Sequence, residues 1–231
     1  MVKESRITIA ATDALNGALN SFLAPETEVV FCEDAMRESY YDAALALIPI
    51  YPQGTSIVAG RRKGEIELPN YAASMLRIFS AVRPGGFAIL IMESQNPYDE
   101  ADLRYTPFKL SSSPLQFIGG LRLANDAFAD GRCYDILVFH KTGKKVAPED
   151  SQFAGCPSLW EYFTNTPDMV IGESPRYVKG TLILNSWDEA EQLAKAESAI
   201  CGWGCLSFYE EITVDSETEE AESLPAYPNV K

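Results

Sequence analysis

The chain has 231 residues, 46% of them hydrophobic and 23% charged, enough length and apolar content for one large domain, or a domain with a subdomain, that folds without staples. Its net charge of −14 is unevenly placed: residues 209–231 hold seven acids and one lysine, the remainder is acidic too, and Arg61-Arg62-Lys63 is the one run of three consecutive basic residues. That balance counts against holding nucleic acid by overall charge, no apolar stretch reaches membrane-spanning length, and five cysteines, an odd number, fit reduced thiols better than a disulfide framework.

Residues 6–11 read as a short strand and residues 15–23 as a helix that stops before Pro25. A second strand over 28–32 ends at Glu33-Asp34. Residues 42–50 are a small and apolar run closed by Pro49 and Pro52, read as a buried strand, with helix as the competitor because of the alanines. Residues 53–67 read as a polar, glycine-containing loop and 68–82 as a helix.

The next segment carries the most information. Arg83 is expected at a helix C-terminus, where a cation is favoured, and Pro84 cannot continue the helix. Gly85 and Gly86 supply positive φ, and residues 87–92 are an unbroken apolar run suited to a strand covered on both faces. Helix, turn and buried strand in immediate succession is how an α/β sheet is built, and the alternation upstream agrees.

Further on, 114–122 and 134–140 read as strands, the second rich in β-branched and aromatic residues, with a turn or short helix at 123–128 between them. Residues 142–156 are polar and irregular. Helices are expected at 157–163 and 188–200, with a strand at 180–185. The acidic, proline-bearing end from 215 is expected to be mobile. The domain reading is therefore 1–145 for the α/β domain, 146–214 for a C-terminal extension and 215–231 for an acidic tail. The first residues, Met-Val-Lys-Glu-Ser-Arg, lack the apolar core of a secretory signal, so a cytoplasmic location is expected.

Two stretches resemble a known family. Gly120-Leu-Arg-Leu-Ala-Asn-Asp-Ala-Phe-Ala-Asp-Gly-Arg-Cys-Tyr-Asp-Ile-Leu-Val-Phe-His-Lys141 is similar to a segment of the S-adenosylmethionine-dependent, adenine-specific DNA methyltransferases associated with helicases in phages and mobile elements. Those proteins carry an arginine-leucine-proline-asparagine segment, an alanine-phenylalanine pair, Asp-Ile-Leu-Val and a lysine. Trp160-Glu-Tyr-Phe-Thr-Asn-Thr-Pro-Asp-Met-Val-Ile-Gly172 resembles the segment that follows their catalytic domain. The resemblance spans roughly residues 6–172 and implies a Rossmann-like methyltransferase sheet with a small C-terminal α+β extension.

It also implies site residues. Asp13 falls where the family has a ribose-binding acid, and Asp34 where an acid accepts from the cofactor's adenine. Each serves equally well as a helix cap or turn residue. The family's next strand ends in Asn-Pro-Pro and an aromatic, which grip the target amino group and stack on the flipped base. Here the strand ends Ile48-Pro49-Ile50-Tyr51, which keeps a base-stacking candidate in Tyr51 and loses the hydrogen-bonding clamp at Ile48.

Asp13 also lies so early that the first strand and its glycine-rich loop have no room. The expectation is a sheet lacking that strand and a degenerate, noncatalytic protein: no catalytic residue, no bound cofactor, S-adenosylmethionine if any. Three repairs of the seam left by the missing strand are open, and a protein partner is expected slightly ahead of the other two, in which the neighbouring strands close up or residues 180–209 cover the gap. Half of a split methyltransferase, and an acidic anti-restriction protein, are the alternatives. DNA is disfavoured as a partner by net acidity. Asn125-Asp126 is read as a turn, Asp135 as a loop anchor and His140 as structural. Cys201 and Cys205 lack the spacing and companions of a zinc site, so no metal is expected.

Overall fold

A computed structural model describes residues 8–11, 28–31, 36–48, 54–60, 64–94, 115–125, 130–143, 158–173, 175–178, 181–186 and 188–201. Their main feature is a seven-stranded mixed sheet. It contains β1 (Thr8–Ala11), β2 (Glu28–Phe31), β3 (Tyr41–Ile48), β6 (Val82–Glu93), β7 (Leu115–Leu123), β8 (Tyr134–Lys141) and β9 (Val170–Ile171). The spatial order is β2-β1-β3-β6-β8-β7-β9. β2, β1, β3 and β6 run parallel, β8 is antiparallel to both β6 and β7, and β9 is parallel to β7. This is a mixed α/β, Rossmann-like sheet, and the predicted strands over 42–50, 87–92 and 134–140 are three neighbours within it.

The alanine-rich run is a strand because of its place: Ala43 to Ile48 pair residue for residue with Phe87 to Met92, and small side chains let a covering helix approach. That helix is α1 (Asn70–Ala81), whose Tyr71, Ala72, Ala73, Met75, Ile78 and Phe79 pack into one core with Ala44, Ala46, Ile48, Ala88, Leu90 and Met92. Burial along β6 alternates, with Ala88, Leu90 and Met92 fully enclosed while Phe87, Ile89 and Ile91 are half-buried. The two faces are thus covered unequally. The second face carries a smaller core of Ile118, Leu121, Val138 and Ile171, against which Ala196 and Ala199 of α3 (Glu189–Cys201) pack.

β1 is hydrogen-bonded to β2 on one side and directly to β3 on the other, Ile9 opposite Ala43 and Ala11 opposite Leu45. No slot is left between them for another strand. The seam expected to await a partner is closed by the chain itself.

The turn chemistry differs in detail from its sequence reading. α1 ends at Ala81 and β6 begins at once, so Arg83 lies on the strand and pairs with Asp42. The cation at the C-terminal end of α1 comes from Lys141 instead. This lysine is buried, and its Nζ donates to the carbonyls of Phe79 at 3.2 Å and Val82 at 2.7 Å. Gly85 has φ 83°, as the turn requires, whereas Gly86 is needed for space: a Cβ there would lie 2.5 Å from the Asp42 carbonyl oxygen.

The predicted loop over 53–67 is an antiparallel hairpin of β4 (Thr55–Gly60) and β5 (Gly64–Pro69), with Arg61, Arg62 and Lys63 between paired Gly60 and Gly64. Glu-Ile-Glu-Leu alternates with period two, whereas Thr-Ser-Ile-Val does not, so half of the hairpin carries no strand pattern in the sequence. Its base is tied to the start of α1, where Ser56 Oγ donates to Asn70 Oδ1 at 2.6 Å and the Asn70 amide to the Gly54 carbonyl at 2.8 Å.

Downstream, α2 (Leu159–Asn165) starts at Ser158, whose Oγ accepts from the Glu161 amide. A 3-10 turn over Pro167–Met169 leads into β9, so this part of the chain contributes a strand to the main sheet. β10 (Arg176–Val178) and β11 (Thr181–Ile183) form a separate hairpin that includes part of the strand expected at 180–185. Among the described residues no helix is long and apolar enough to cross a membrane.

Candidate functional site

In an open parallel sheet, ligands gather outside the carboxyl ends of the strands where the strand order reverses. Here that point lies between β1 and β3, and the carboxyl edge continues over the ends of β6 and β7 and the start of antiparallel β8. Of the sequence-predicted site residues, Ile48 is placed there. Asp13, Asp34, Pro49, Ile50 and Tyr51 lie outside the described residues.

Ile48 is opposite Met92, Met92 is opposite Asp135, and Asp135 is opposite Arg122. One row therefore crosses β3, β6, β8 and β7, and every side chain in it is 2% exposed or less. Ile48 itself has no exposure and belongs to the core beneath α1. Its side chain is a packing element, with neither a polar atom to offer a target amino group nor access to one.

The other half of the row is polar. Arg122 Nε and Nη2 donate to Asp135 Oδ1 and Oδ2, each at 2.8 Å, a bidentate pair with both side chains 1% exposed. Ser94, just past the end of β6, donates its hydroxyl to Asp135 Oδ1 at 2.7 Å. The Arg122 guanidinium lies 4.3 Å from the Phe163 ring centroid, and on the same helix the Tyr162 hydroxyl oxygen accepts from the Gly120 amide at 3.1 Å. Asp135 thus joins three strand ends and, through Arg122, α2, which is more than the loop anchoring its sequence position suggests. The sequence reading does not single out Arg122. The signal that could have found it is two opposite charges inside apolar strands, Leu-Arg-Leu and Tyr-Asp-Ile, at matching distances from one connecting turn.

Outside this pair lies an exposed polar group. Arg132 binds Glu93 at 2.8 Å, and the Tyr134 hydroxyl donates to Asp130 at 2.6 Å. Burial and the Asp130 bond push the Tyr134 phenol up to about 12, while that hydrogen bond lowers the Asp130 carboxyl. Glu93 raises Arg132 further above its ordinary value. Arg132 also reaches Asp130 at 3.8 Å, so the four groups engage one another, which suits a structural surface better than proton transfer.

Asn125 does more than turn the chain. Its Oδ1 accepts from the Leu184 amide at 2.6 Å and from the Cys133 thiol at 3.2 Å, and its Nδ2 donates to the Gly131 carbonyl at 2.9 Å. It fastens the segment after β11 to the turn before β8. Burial pushes the Cys133 thiol up to about 11, which keeps it protonated and unreactive. No group of three or more metal-ligating side chains occurs among the described residues.

His140 pairs with Phe87, five residues from Met92 along β6 and so roughly 16 Å from the carboxyl edge. Its ring packs on Phe87 with centroids 5.0 Å apart, and burial lowers its pKa from 6.5. The folded chain therefore resists a proton that the unfolded chain accepts below about pH 6.5, so His140 contributes full stability above that pH and progressively less below it. Chemical denaturation of the parent and of His140→Phe at pH 7.5 and 5.5 should show the parent losing more stability than the variant over that interval. Equal losses would contradict the burial of a neutral imidazole.

The class defined by these observations is a Rossmann-like α/β protein whose carboxyl edge carries a buried ion pair and an aliphatic strand end. No family model and no curated protein matches the chain. Solved structures similar to it are S-adenosylmethionine-dependent methyltransferases. A putative class I enzyme from Listeria monocytogenes is 11% identical over 87% of this chain and 66% of that one, with a TM-score of 0.44. Phosphoethanolamine N-methyltransferase 2 of Haemonchus contortus, solved with S-adenosylhomocysteine, is 12% identical over 68% and 39%, with a TM-score of 0.37. The 16S rRNA N2 G1207 methyltransferase of T. thermophilus is 14% identical over 64% and 38%, with a TM-score of 0.28. The chain spans about two fifths of the length of the last two. The fold rests on the strand order of the chain itself.

Proposed function

We propose that this chain is a methyltransferase-like protein that has lost transfer chemistry and acts by binding, a degenerate relative of the adenine-specific DNA methyltransferases of phages and mobile elements. The observation that carries this reading is Ile48: where that family places a hydrogen-bonding clamp, β3 ends in a fully buried aliphatic side chain locked in register with Met92. Methyl transfer to an exocyclic amine needs an acceptor that orients the nitrogen lone pair, and this position supplies none. The role is that of a scaffold for a protein partner, in which the sheet is retained for its shape.

A split enzyme, with a first strand supplied by another chain, is the weaker reading, because the incoming strand would have to break the β1–β3 pairing. The partner surface we propose is accordingly not this seam. Isothermal titration with S-adenosylmethionine and S-adenosylhomocysteine tests the loss of cofactor use. No saturable heat is expected with either compound up to about 1 mM, a concentration at which an enzyme with an ordinary cofactor Kd of about 1–100 µM would be saturated. Saturable micromolar binding would contradict that loss.

A further inference from the structure

We draw no further inference here: the strongest candidate, the β4–β5 hairpin beside the start of α1, which brackets the chain's longest basic run Arg61-Arg62-Lys63, carries nothing because those three residues lie outside the described part of the structure and no observation sets them against a ligand.

Discussion

Asp135→Leu is expected to destabilise the protein by about 3–5 kcal/mol, since it leaves the Arg122 guanidinium enclosed without its counter-ion. Against a typical total of about 5–15 kcal/mol, that loss leaves the variant largely unfolded or aggregated at ordinary temperature. The double substitution Arg122→Met with Asp135→Leu removes both charges and fills similar volume, so it should return to within about 1 kcal/mol of the parent. Urea denaturation of the three proteins measures this. A single variant that loses less than about 1 kcal/mol, or a double variant no better than the single, would show that the pair is not the enclosed couple the geometry describes.

The second large effect is expected at Gly86. A Cβ there meets the Asp42 carbonyl oxygen at 2.5 Å and the Arg83 carbonyl oxygen at 3.1 Å, and neither can move away like a flexible side chain. The contact falls where β3 and β6 shift register between Tyr41 and Ala43, so relief would have to come from the pairing of the two central strands. Gly86→Ala should therefore cost about 3 kcal/mol, the upper end of overpacking penalties. Gly131 provides the control: its φ is +72° and a Cβ there would meet nothing within 4 Å, so Gly131→Ala should cost only about 1 kcal/mol of backbone strain. Thermal melts that rank the two variants in the opposite order would overturn this account of the turn.

Much of the sheet was legible in the sequence because its central strands are short apolar runs bounded by strong turn signals. Residues 87–92 follow Pro84-Gly85-Gly86, and 134–140 combine β-branched and aromatic side chains, so propensity and tertiary position agree. The hairpin at 55–69 was not legible, since Thr55, Ser56, Glu65 and Glu67 give its strands the composition of a loop and only their pairing reveals them. Arg122 and Asp135 illustrate a different limit: each is an ordinary surface residue by type, and their value arises from cross-strand register, a long-range quantity. The closing of β1 onto β3 is also a matter of register and could not be read from the early position of Asp13. At the candidate site, Ile48 was legible as the aliphatic end of a strand, and the structure adds that its side chain is part of the core.

The claim that transfer chemistry is absent is tested most directly by incubating the purified protein with duplex DNA and S-adenosylmethionine carrying a radiolabelled methyl group. Because Ile48 offers no acceptor and no access to a target amine, label in the DNA should stay at the level of a control without protein. Incorporation above that control, abolished by Tyr51→Ala, would contradict the account and establish the chain as an enzyme.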